Sequence, residues 1–194
     1  MTTAKPKPKA ARATGAGRQP GDPSARQLVE RMIRVDHAGE YGAARIYDGQ
    51  LAVLGNRAAS ADKIRHMAEQ EQHHLATFDR MVVERRVRPT LLSPLWHVAG
   101  FALGAGTALL GEKAAMACTE AVEEVIDEHY AEQLAQLGDD EPELKQAIEE
   151  FRADEIEHRD TAREEGAAEA PGYELLTAAI KRGSKLAIWL STRI

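Results

Sequence analysis

The chain has 194 residues, 43% hydrophobic and 29% charged, the balance of a soluble globular protein with one domain's worth of core. Its net charge of −6 is uneven: residues 1–26 carry six Lys/Arg against one acid, leaving 19 basic and 30 acidic residues in the remainder. Such an acidic body argues against a nucleic-acid partner, and the lone Cys118 rules out an internal disulfide framework or an all-cysteine metal site.

Residues 1–24 are read as a disordered basic tail rich in Pro and Ala, with nothing to bury and no apolar run of the kind a secretory signal needs. Beyond it, Pro89, Pro94, Pro142 and Pro171 cut the chain into helix-length pieces dominated by Ala, Leu, Glu, Arg and Gln. The expected architecture over 25–194 is all-α, with helices at about 25–54, 60–87, 95–110, 112–137, 142–165 and 172–192. The third piece lies within residues 89–111, which hold no Asp, Glu, Lys or Arg and include Gly100 and Gly104 at GxxxG spacing. The last piece carries one apolar face through Leu176, Ile180, Gly183, Ala187 and Leu190.

Two segments place Glu at i and His at i+3, neighbours on one helix face: Glu71 with His74, and Glu155 with His158. A preceding helix supplies a further glutamate to each, Glu40 lying 31 residues before Glu71 and Glu123 lying 32 before Glu155. The offsets between the two sets are 83, 84 and 84 residues, so the chain repeats itself. In an antiparallel hairpin, residues about thirty apart sit at one height. Two facing hairpins then bring four carboxylates and two imidazoles together inside a four-helix bundle, the di-iron or di-manganese arrangement of ferritin-like proteins. Four carboxylates offset two divalent cations, whereas without metal such buried groups must take up protons. His37, His66, His73 and His97 are read as surface or helix-terminal groups.

The motifs VDHAGEYGA, EQEQHHL, ACTEAVEE, FRADEIEHRD and AIWLSTRI resemble those of the demethoxyubiquinone hydroxylases of ubiquinone biosynthesis, from about Leu28 to Ile194. The resemblance implies a ferritin-like di-iron monooxygenase with terminal ligands Glu40 and Glu123, bridging ligands Glu71 and Glu155, and one imidazole per iron from His74 and His158. It also suggests roles for His129 and Tyr130. It implies hydroxylation of a polyprenyl quinol ring with O2 and two external electrons, with NADH a candidate reductant, although no nucleotide-binding fingerprint is present. Iron storage or peroxide scavenging is the alternative on the same six ligands.

A polyprenyl substrate resides in the bilayer, so the enzyme must dock there. One crossing by residues 91–110 would leave three ligands on each side of the membrane, so the expectation is an interfacial helix, or one lining an apolar way to the metals, assisted by the C-terminal helix. The implied location is peripheral, on the cytoplasmic face of a bacterial inner membrane or the matrix side of the mitochondrial one. Apolar helix faces leave room for self-association or for a lipid-presenting partner.

Overall fold

The computed structural model describes residues 22–55 and 58–194, so most of the expected tail, and Asn56 of the first turn, lie outside the described residues. These form six α-helices and no strand: α1 Ala25–Leu54, α2 Ala61–Glu84, α3 Ser93–Leu109, α4 Glu112–Gln136, α5 Pro142–Glu164 and α6 Tyr173–Ser191. The fold is the expected all-α bundle with two added helices.

Local chemistry fixes the helix ends. Ser24 Oγ accepts from the Gln27 amide at 3.2 Å while the Ser24 amide donates to Gln27 Oε1 at 2.8 Å, a capping box that starts α1 at Ala25. Gly55, with φ of 59°, ends it. The second helix stops three residues short of the expected boundary: Arg86 turns left-handed at φ 54°, and the Val87 amide closes on the Val82 carbonyl at 2.9 Å. Pro142 occupies the first turn of α5, where its missing N–H costs nothing.

α1 and α2 form one antiparallel hairpin, shown by contacts that run in opposite directions along them: His37 with Asp79, and Tyr47 with Met67. α4 and α5 form the other, held at one edge by Arg163 on Glu120 and Arg159 on Asp127. The repeat extends to the third helix of each half. α3 runs parallel to α1, Tyr41 meeting His97 and Arg45 lying over Phe101; α6 runs parallel to α4, Lys181 pairing with Glu124 and Lys185 with Glu128. Trp96 Nε1 donates to Ser191 Oγ at 3.0 Å where α3 and α6 meet.

Glycine is what allows α3 to lie on α1. A Cβ on Gly104 would sit 1.9 Å from the Ile46 carbonyl oxygen, one on Gly100 2.8 Å from that of Gly42, and one on Gly49 2.3 Å from that of Phe101. The two backbones are therefore in direct contact, which explains the GxxxG spacing without a membrane span. Three apolar clusters close the bundle, one with Ile33, Phe78, Leu144, Ile148 and Phe151, a second with Tyr47, Ile64, Met67, Met116 and Ala162, and a third with Ile46, Cys118, Val122 and Ile180. Each fully buried large side chain stabilises the fold by about 1.5–3 kcal/mol. α6 buries Ile180 but leaves Gly183 exposed, so its inward seam is narrower than expected and turns toward Thr177 and Ser191.

Candidate metal centre

Glu40 on α1, Glu71 and His74 on α2, Glu123 on α4, and Glu155 and His158 on α5 are all buried to within 1% exposure. They meet as two overlapping quartets: Glu40, Glu71, His74 and Glu155; and Glu71, Glu123, Glu155 and His158. Within each quartet one donor atom per residue lies within 4.8 Å of every other. Glu71 and Glu155 belong to both.

The imidazoles point Nδ1 inward. His74 Nδ1 stands 3.4 Å from Glu40 Oε2 and 3.3 Å from Glu155 Oε1, and His158 Nδ1 stands 3.4 Å from Glu71 Oε1 and 3.2 Å from Glu155 Oε2. Their outer nitrogens are held, His74 Nε2 by Asp154 Oδ2 at 3.0 Å and His158 Nε2 by Gln70 Oε1 at 3.1 Å. With Nε2–H donating to those oxygens, the Nδ1 lone pairs face the cluster.

This donor set fits divalent metal. At least one oxygen of each glutamate, both oxygens of Glu71 and Glu155, and both inward Nδ1 atoms are buried without a hydrogen-bond partner, which is costly unless a cation or protons fill the centre. Without metal, burial reinforced by Glu155 pushes Glu71 and Glu123 well above the usual carboxylate range. Burial disfavours a charged His74, yet Glu155 and Glu40 outweigh it and hold the ring up to about 12; Glu155 and Glu123 likewise raise His158. Burial would lift Glu155 as well, but the two imidazoles hold it at about 2.

Tyr130 does not bond the glutamate of its own helix. Its hydroxyl crosses the bundle to donate to Glu40 Oε1. His129 stands off the six residues, with its Nε2 2.8 Å from Gln133 Nε2 and 3.3 Å from Asp36 Oδ1, and the Gln133 amide also donates to Asp36 at 2.6 Å. The other histidines stay away from the centre: His66, His73 and His97 are exposed, and His37 is tied to Asp79 at 2.9 Å.

Sequence reasoning missed a supporting layer. Tyr47 donates to Glu123 Oε1 at 2.7 Å, the mirror of Tyr130 on Glu40. Gln50 donates to Thr119 Oγ1 at 3.2 Å, the mirror of Gln133 on Asp36. The signal was present in the repeat: Tyr47 and Tyr130, and Gln50 and Gln133, each stand 83 residues apart. Burial followed by the nearby carboxylates raises both tyrosines far above their ordinary value, so both hydroxyls stay protonated donors.

An apolar cavity of about 380 Å³ lies between α1, α3, α4 and α6. Gly39 and Val122, which precede Glu40 and Glu123, line it together with Ala43, Ile46, Ile126, Trp96, Leu103 and Ile188. Its rim includes the exposed Ala99 and Gly183. The same two helices carry exposed apolar side chains, Leu95, Val98 and Leu109 on α3 and Leu175, Leu186 and Trp189 on α6, each more than half accessible. α3 is therefore not a wholly buried core helix. Among the described residues no helix is long and apolar enough to cross a membrane.

Fold and donor set together define a ferritin-like helical bundle with buried clusters able to hold metal. The chain belongs to the family described as ubiquinone biosynthesis protein COQ7, whose profile matches residues 27–191. It is 62% identical over 183 residues to the 3-demethoxyubiquinol 3-hydroxylase of Rhodospirillum rubrum, covering 94% of this chain and 86% of that protein. It is 52% identical over 177 residues to the human protein named NADPH-dependent 3-demethoxyubiquinone 3-hydroxylase, mitochondrial, covering 89% and 81%. The 5-demethoxyubiquinone hydroxylase, mitochondrial, of Saccharomyces cerevisiae is 44% identical over 183 residues, covering 86% and 78%.

Proposed function

We propose that this chain is a di-iron monooxygenase that hydroxylates the ring of a demethoxyubiquinone-type polyprenyl quinol, using O2 and two electrons from outside. The observation that carries this reading is the pair of overlapping quartets beside an apolar cavity, in a chain closely similar to named hydroxylases. Glu40 and His74 would hold one iron and Glu123 and His158 the other, with Glu71 and Glu155 shared. When bound, the irons supply the reductive activation of dioxygen.

The remaining work falls to the chain. Tyr130 and Tyr47 fix the outer glutamates by donating to one oxygen each, leaving the other oxygen free for metal. Asp154 and Gln70 hold the outer imidazole protons, so that each inward nitrogen keeps its lone pair. His129 acts as a positioning residue with Asp36 and Gln133. The α3/α6 cavity receives the ring and excludes water, while the exposed apolar residues of both helices rest on the membrane surface that holds the substrate's tail. This apolar route is a feature that iron storage or peroxide scavenging does not require. A nicotinamide dinucleotide is the proposed electron source, in keeping with the mammalian relatives' names. Placement is peripheral, on the cytoplasmic face of a bacterial inner membrane or the matrix side of its mitochondrial counterpart. A lipid-presenting partner or a second copy of the chain would be accommodated on the same face.

The test is anaerobic iron loading followed by O2, reductant and a demethoxylated quinol in lipid, with mass spectrometry for a gain of one oxygen atom. The parent protein is expected to give that product, and Glu155→Ala and His158→Ala none. Full turnover in both variants would falsify the ligand assignment.

A further inference from the structure

The repeat that builds the metal centre also builds two clefts between α2 and α5, one beside each imidazole. Residues of one map onto the other at an offset of 84. The donor sets are matched, so any difference between the two metal positions must come from what surrounds them. Among the positions that differ between the halves, two bear directly on the imidazoles.

First, Met67 stands where the other half has Phe151. The Phe151 ring stacks on His74 with centroids 4.0 Å apart and planes inclined by 28°. The cleft there, about 240 Å³, ends on Phe151 and His73, and neither His74 nor Asp154 lines it. The cleft at the other end, about 330 Å³, is lined by Met67, Gln70 and His158 itself. An unbranched thioether turns aside more readily than a stacked ring. Second, Gln70 stands where the other half has Asp154, so His158 leans on a neutral amide and His74 on a carboxylate. A carboxylate behind a metal-binding imidazole raises its basicity, and losing such a partner typically costs about 10- to 100-fold in metal affinity.

We infer that the two metal positions are unequal by construction: the ion held by Glu123 and His158 is the exchangeable one, passing through the cleft between α2 and α5, and the ion held by Glu40 and His74 is sealed in. The inference rests on the dinuclear reading above. It separates the path of the metal, on the α2/α5 side, from that of the quinol, on the α3/α6 side.

The experiment is release of Fe(II) from the fully loaded protein under anaerobic conditions, followed by the colour of a ferrous chelator such as ferrozine. The expected record has two phases of one iron per chain, separated at least tenfold in rate. Gln70→Glu keeps the side chain's shape and supplies the missing carboxylate, and should slow the fast phase about tenfold or more. Phe151→Met should speed the slow phase toward the fast one. Release of both irons in one phase, or two phases that neither variant moves, overturns the inference while leaving the dinuclear centre standing. A chain that never retains two irons overturns the dinuclear reading itself.

Discussion

The contact between α1 and α3 makes a strong demand on the sequence at Gly104. In Gly104→Ala, the new methyl carbon would lie 1.9 Å from the Ile46 carbonyl oxygen, 2.8 Å from its carbon and 3.0 Å from its Cα. All three are backbone atoms inside a helix, so no rotamer change relieves them. Restoring an ordinary separation of about 3.5 Å requires α3 to withdraw by about 1.5 Å. Overpacking of this kind costs about 1–3 kcal/mol or more, against about 1 kcal/mol returned by replacing glycine in a helix interior. We expect a net loss of about 2 kcal/mol, which lowers the melting temperature by about 4–8 °C in a chain of this size. Gly106→Ala is the control. It lies on the same helix with nothing within 4 Å of the added carbon, and should raise the melting temperature by about 2–4 °C. The assay is thermal unfolding of the metal-loaded proteins followed by circular dichroism. If both substitutions shift the transition alike, the direct backbone contact is wrong.

Tyr130→Phe and Tyr47→Phe each leave a buried glutamate oxygen without its donor, and each should destabilise the metal-loaded protein by about 1–3 kcal/mol in urea unfolding, with unchanged midpoints counting against the support role. In the metal-free protein, Glu71, Glu123 and His74 bind protons more tightly than in the unfolded chain, so its stability falls as pH rises above the ordinary carboxylate value of 4.5. Glu155, held at about 2, works in the opposite sense only below that value. Metal must displace those protons, so its affinity rises with pH, and the melting-temperature gap between loaded and metal-free protein should widen from about pH 5 to pH 8. A constant gap would contradict this. Val98→Asp with Leu186→Asp should abolish flotation of the protein with anionic liposomes while leaving its iron content unchanged; undiminished flotation would remove α3 and α6 as the docking face.

Much of this arrangement was legible because it repeats. A residue offset shared by four glutamates and two histidines survives any uncertainty about helix rotation, and periodicity with proline placement located the helix ends to within three residues. What resisted reading depends on the angle between helices. Nothing in the sequence around Tyr130 says that its hydroxyl reaches Glu40 across the bundle rather than Glu123 on its own helix, and Asp36 looks like any surface acid until Gln133 and His129 close over it. α2 ends short of the boundary its pattern predicts because a left-handed arginine, rather than the usual glycine, closes the helix.

The cavity that opens between α3 and α6 has a thermodynamic consequence for a substrate with a long hydrocarbon chain. Withdrawing such a chain into water would cost about 0.8 kcal/mol per methylene, on the order of 4 kcal/mol for every five-carbon unit. A slot whose mouth is rimmed by Ala99 and Gly183 and bordered by greasy side chains removes that penalty. For the proposed lipid-held quinol, only the head group would then need to leave the lipid, and chain length would have little influence on the work of capture.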